Sequence, residues 1–189
     1  EKATIRQWMS VGGTYEKHLC FQTPSKPKLP GPRDWRDTEI DRFIFKRMSE
    51  AGLSPQRPAS RETLIRRVTL DLTGLPPTSR EVDRFLRDTT PGAYERLVNR
   101  LLELPRFGER MAVWWLDGAR YGDSHGYDND LENSQWPWRN WVIEAFNSNM
   151  PYDQFTVEQL AGDLLPNATE SQVLATGFNR NHRINTCLL

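Results

Sequence analysis

Between Trp114 and Trp141 lie five of the chain's seven tryptophans, together with Asp117, Asp123, His125, Asp128, Asp130 and Glu132. No lysine or arginine falls between Arg120 and Arg139. Like charges this close repel, so solvent, distant arginines or a cation must offset them. Three chemistries fit these residue types. Proton transfer would use Asp117, Asp123 and His125, the histidine being presented between Ser124 and Gly126 with a neighbouring carboxylate to orient it. Calcium binding would use Asp123, Asp128, Asp130 and Glu132, because a hard cation takes carboxylate and carbonyl oxygens. The run from Asp128 begins like an EF-hand loop, but Asn133 stands where its turn needs glycine and Arg139 where it needs glutamate. Any calcium site is therefore expected to be irregular. Saccharide binding would use Arg120, Tyr121, Tyr127, Trp136, Trp138 and Arg139, with aromatic faces stacked on a sugar ring; paired carboxylates beside such a platform are what glycoside hydrolysis requires. The spacing of Trp138 and Trp141 equally suits a helix face turned into a core. His18, His125 and His182 share no zinc-ligand spacing.

The rest of the composition narrows the classes. The chain has 189 residues and no net formal charge, yet residues 1–110 carry +6 and residues 111–189 carry −6. The basic residues, 20 of 25 of them arginine, are interleaved with acids and form no stripe. Attraction between parts of one fold is expected, and no nucleic-acid partner. No apolar run approaches the roughly 18 residues of a membrane span. Cys20 and Cys187 form neither CxxC nor CxxCH, which leaves no disulfide framework and no covalent haem in this chain. Whether these two cysteines pair stays open. The opening Glu1-Lys-Ala-Thr is not a signal peptide, so any export signal is expected outside the chain.

The elements that must position the site read as helices. A short helix over residues 4–11 precedes a Pro-rich connector at 22–35. Thr38 and Asp41 begin a helix with Ile40, Phe43, Ile44 and Met48 on one face and Gly52 as its stop. Ser60 begins another, with Leu64, Ile65, Val68 and Leu72 inward and Gly74 at its end. Thr78-x-x-Glu81 is a capping box. Helices then follow over 93–104 and 107–121, the latter with Met111, Trp114 and Trp115 inward and Asp117 spaced to pair with Arg120. A polar loop at 122–135 leads to a helix with Pro137 in its first turn. Asp153 caps the next, and Thr169-x-x-Gln172 the last. No stretch alternates long enough for a sheet. The expectation is all-α: an irregular bundle of about seven to eight helices with a long polar loop.

Leu64-Ile-Arg-Arg-Val-Thr-Leu-Asp-Leu-Thr-Gly-Leu-Pro-Pro-Thr78, Phe107-Gly-Glu-Arg110, Trp115-Leu-Asp-Gly-Ala-Arg-Tyr121, Trp138-Arg-Asn-Trp-Val-Ile143 and Met150-Pro-Tyr-Asp-Gln-Phe-Thr-Val-Glu-Gln-Leu-Ala-Gly-Asp-Leu-Leu-Pro166 resemble a planctomycete domain of unknown function found beside c-type cytochrome modules. The resemblance spans about residues 35–186. Ile5-Arg-Gln-Trp-Met9 with Gly12 resembles the closing helix of the preceding cytochrome module, and His18-Leu-Cys-Phe-Gln22 its connector. Residues 1–21 are then a remnant of that module, 22–35 a linker, and 36–189 the helical domain. Cys187-Leu-Leu departs from the family's continuation, so the domain is expected to be truncated at its C-terminus. The resemblance implies an exported, periplasmic or cell-surface multidomain protein. Its implied partners are a c-type cytochrome module, in the same or a neighbouring chain, and polysaccharide. It implies no reaction. The expected function is a helical interaction and ligand-binding module, with a carbohydrate-active hydrolase and a structural calcium-binding domain as alternatives.

Overall fold

The computed structural model describes residues 2–13, 15, 17–31, 38–126 and 130–182. Tyr127, Asp128 and Cys187 lie outside the described residues. Those described hold nine α-helices and no strand, slightly more helices than expected. They cluster into two units, Glu1–Arg57 and Pro58–Leu189.

The first unit carries α1 (Lys2–Ser10), a 3₁₀ turn (Leu19–Phe21) and α2 (Glu39–Glu50). Thr38 caps α2 by accepting from the Asp41 N–H at 3.1 Å. Gly52, at φ 69°, ends it in a Schellman turn in which the Leu53 N–H reaches the Met48 carbonyl at 2.8 Å. The Arg42 guanidinium ties α2 back to the Pro-rich segment through the carbonyls of Pro30, at 3.0 Å, and Gly31. That tie groups α2 with the first unit, although the composition of the chain changes earlier, near residue 35. Among the described residues of this unit none is buried.

The second unit has two cores. α3 (Arg61–Thr73), α4 (Ser79–Arg87) and α5 (Ala93–Leu102) enclose Ile65, Val68, Phe85, Leu97 and Leu101. Ser60 and the Thr78/Glu81 capping box start the first two of these helices, and Gly74, at φ 72°, stops α3. Asp88, after α4, accepts from the Thr90 hydroxyl at 2.5 Å and from Arg96 at 2.8 Å, and these donors pull its carboxyl from an ordinary 3.8 to about 2. A depressed carboxyl pKa supports the fold above the unfolded value, and the support is lost as pH falls through the folded one. The melting temperature of the protein is therefore expected to drop between pH 3.8 and about 2, and Asp88→Asn to drop less over that same window. An equal decline in both proteins would remove this role.

The second core is built by α6 (Pro105–Gly118), α7 (Trp136–Asn147), α8 (Tyr152–Ala161) and α9 (Glu170–Ala175), with 3₁₀ turns at Gly162–Leu164 and Thr176–Arg180. It contains Ala112, Trp138, Trp141, Val142, Ala145, Phe155 and Ala175. The start of α6 is Pro105, earlier than the spacing suggested, because proline pre-sets the first helical turn. Its inward face is partly turned. Trp115 packs inward on Phe155 and Phe178 as expected, and Gly108 and Ala112 are buried beside it, whereas Trp114 is exposed beneath the Arg110 guanidinium. Small residues let the two helix backbones approach closely, which large side chains there would prevent. Pro151 caps α8, and Asp153 sits inside its first turn.

Candidate functional site

Everything that shapes the site begins where α6 ends. The helix stops at Gly118, and Arg120 takes a left-handed backbone at φ 59°. That turn swings Arg120 out of the helical register, so the surface pair expected with Asp117 does not form: no ion pair joins them among the described residues. Asp117 stays exposed on α6.

The polar loop then folds back on itself as a short hairpin. Ser124 bridges Glu132 in antiparallel sense, the His125 N–H donates to the Leu131 carbonyl at 3.0 Å, and the Asn133 N–H donates to the Asp123 carbonyl at 2.9 Å. Two of the carboxylates hold this shape. Asp123 accepts from the Tyr121 hydroxyl at 2.6 Å and from the Gln135 N–H at 2.8 Å. Those donors, the tyrosine first, keep its carboxyl below the usual range. Burial, and then Asp123 itself, push the Tyr121 phenol upward. Arg139 stands behind the pair, 3.4 Å from the Tyr121 oxygen, and shares its other donors with Asn140. Asp130 accepts from the Ser124 hydroxyl and from the Gly126 N–H, the latter at 2.7 Å, and both lower its pKa. Asp123 and Asp130 are thus offset mainly by neutral donors of the loop itself, with Arg139 behind the first.

The opposite wall comes from far along the chain. The 3₁₀ turn after α9 crosses close over α7: a Cβ on Gly177 would lie 2.8 Å from the Cβ of Trp138. This delivers Arg180, Asn181 and His182 to the hairpin, where Arg180 donates to the Asn133 side chain at 2.8 Å. Between hairpin and turn lies a cavity of about 490 Å³. Arg120, His125, Arg180 and His182 supply its basic groups, and among the described residues no carboxylate lines it. Ser124, Asn133 and Asn181 add neutral polar groups. Two buried polar atoms on its lining side chains meet no hydrogen-bond partner, Nδ1 of His125 and Oδ1 of Asn181.

Over residues 39–187 the chain matches the family PSCyt2, a protein of unknown function (DUF1549). The chain belongs to the DUF1549 family. No curated protein and no solved structure matches it.

In this DUF1549 chain the site candidates named from sequence fall into three groups. Tyr121, His125 and Arg120 border the cavity. Asp123, Asp130 and Arg139 shape the loop, and Glu132 joins it through its backbone. Trp138, only 1% exposed, is packed against Tyr121 and Phe178 in the core and offers no free face to a sugar. Trp136, 52% exposed, does offer one, but away from this cavity. Among the described residues no three His, Cys, Asp or Glu side chains gather as a metal ion requires. Arg180, Asn181 and Asn133 escaped sequence reasoning because nothing local ties Arg180 to a residue 47 positions earlier.

Proposed function

We propose that this chain is a ligand-binding module whose cavity takes an acidic sugar, and that it works within an exported protein alongside a c-type cytochrome module. The supporting observation is the lining: among the described residues it has two guanidinium groups and two imidazoles, and no carboxylate. Arginine forks suit carboxylate or sulfate oxygens. Ser124, Asn133 and Asn181 add neutral polar side chains to the same lining, which suit a ligand's hydroxyls beside its anionic group. A uronic or sulfated sugar supplies both, in keeping with a polysaccharide partner.

Arg120 owes its left-handed backbone to the Schellman turn that ends α6, in which the Tyr121 N–H reaches the Leu116 carbonyl at 2.8 Å. That turn places its side chain on the cavity, where it forms no ion pair among the described residues. The hydrolytic alternative has less support, since of Asp117, Asp123 and His125 only His125 lines the cavity. A calcium site through Asp123, Asp128, Asp130 and Glu132 would have to compete with the protein donors that Asp123 and Asp130 already hold.

Calorimetric titration with galacturonate, galactose and sulfate tests the reading. Galacturonate is expected to bind, and galactose, lacking the charge, to bind at least about tenfold more weakly. Arg180→Gln should weaken galacturonate by about tenfold, the worth of one charge-assisted contact. Arg120→Gly should weaken it similarly while leaving the melting temperature unchanged or higher, because glycine relieves the left-handed backbone. Equal uptake of galactose and galacturonate, or no effect of either arginine variant, would sink the proposal.

A further inference from the structure

The face of the second unit formed by α7 and α9 carries a second groove, of about 540 Å³, that shares no lining residue with the cavity above. One wall is a row along α7: Trp136, Asn140 and Glu144 stand at successive four-residue steps, so they line up on one helix face. The other wall is α9, with Glu170 and Ser171 in its first turn and Leu174 one turn on. The floor is the edge of the buried Trp141.

Three features separate this groove from an ordinary surface. Trp136 leaves half its area in solvent on a helix whose other two tryptophans are buried. Glu144 and Glu170 flank it, and neither forms an ion pair among the described residues. No basic side chain among the described residues lines the groove. Its sign is therefore opposite to that of the cavity between hairpin and 3₁₀ turn. An indole face beside two unpaired carboxylates attracts a cation, by the ring quadrupole and by charge. Asn140 and Ser171 add hydrogen-bonding groups suited to hydroxyls, while Leu174 and Pro137 border the indole with apolar surface.

We infer that this groove is a binding site for a protonated amino sugar, with the sugar's C–H face on Trp136, its ammonium group between Glu144 and Glu170, and its hydroxyls on Asn140 and Ser171. A lysine or arginine side chain of a partner would satisfy the carboxylates and the indole but would leave Asn140 and Ser171 unused, so the hydroxylated cation fits the lining more fully. The groove volume exceeds that of one pyranose ring, which allows an oligomer.

The test uses the full chain and three probes: a glucosamine trimer, its N-acetylated counterpart, and a capped lysine-rich peptide of similar length. Binding is followed by tryptophan fluorescence and calorimetry at a pH where the amines are protonated and the glutamates ionised. The glucosamine trimer is expected to bind and to perturb the fluorescence, and the uncharged N-acetylated trimer to bind at least about tenfold more weakly. Glu144→Gln and Glu170→Gln, both on exposed positions and harmless to the fold, should each weaken the glucosamine trimer several-fold. Trp136→Ala should weaken it about tenfold or more. Arg180→Gln, at the other site, should leave it unchanged. Equal binding of the charged and acetylated trimers, indifference to both glutamine variants, or tighter capture of the peptide would each overturn the assignment.

Discussion

Gly108→Ala is expected to cost about 3 kcal/mol of stability, the upper range for overpacking a tight core. A Cβ at this position would lie 2.4 Å from the Ile143 carbonyl oxygen and 2.5 Å from the Asn147 Cγ. The asparagine can turn aside, but the carbonyl belongs to the α7 backbone, so the helix itself would have to shift. The same movement would break the cap that α7 provides to α6. The Gly108 N–H donates to the Asn147 side chain at 2.8 Å, and Asn147 in turn donates to the Pro105 carbonyl at 3.1 Å. Since Leu104 supplies no side-chain cap, the start of α6 depends on this borrowed one. Gly118→Ala, where nothing lies within 4 Å, is the matched control and should be neutral or stabilising by a few tenths of a kcal/mol. Urea denaturation of the two variants decides the matter. A midpoint for Gly108→Ala within error of Gly118→Ala would refute the close helix contact.

Asp123→Asn is expected to reduce galacturonate uptake by about tenfold or more while moving global stability little. One carboxylate here fastens both ends of the loop, through Tyr121 before it and Gln135 after it. Charge-assisted hydrogen bonds of this kind are worth roughly twice neutral ones, and an amide can accept through only one of its two polar atoms. The group is exposed, so its contribution to overall stability is small. Its effect on the shape of the cavity rim is large. Because the folded carboxyl titrates below its unfolded value, its hold on the loop is complete above the ordinary carboxylate range and fades as pH falls through the folded value. The protection factors of the Gln135 and Asn133 amides against hydrogen exchange should therefore fall in acid in the natural chain, and be low already at neutral pH in the variant. Slow exchange of both amides in Asp123→Asn would show that the loop stands without this carboxylate.

Both expectations concern contacts whose local parts were legible and whose distant parts were not. Helix starts at Thr38, Ser60, Thr78 and Thr169 follow from side chains reaching only three residues forward, and each forms as read. The stops at Gly52 and Gly74 follow from backbone freedom at a single residue. Periodicity also located Ile65, Val68 and Trp138 in the cores. In α6 it was right for Trp115, which packs on Phe155 and Phe178, and wrong for Trp114, which is exposed. The positions facing α7 most closely are small, Gly108 above all, because that helix comes too close for a larger side chain.

What the residue order alone determined is therefore the all-α class, the capped and punctuated helices and the family, since each depends on chemistry within a few positions of the chain. The character of the cavity was decided only in three dimensions. Read along the chain, the loop is acidic; folded, its Asp123 and Asp130 turn to nearby hydroxyl and amide donors, and arginines from two distant turns face the space it encloses. Charge counts add up every group in a segment, whereas a binding surface is set by the direction each group points. That direction depends on one left-handed residue at Arg120 and on a chain reversal that brings Arg180 across 47 positions.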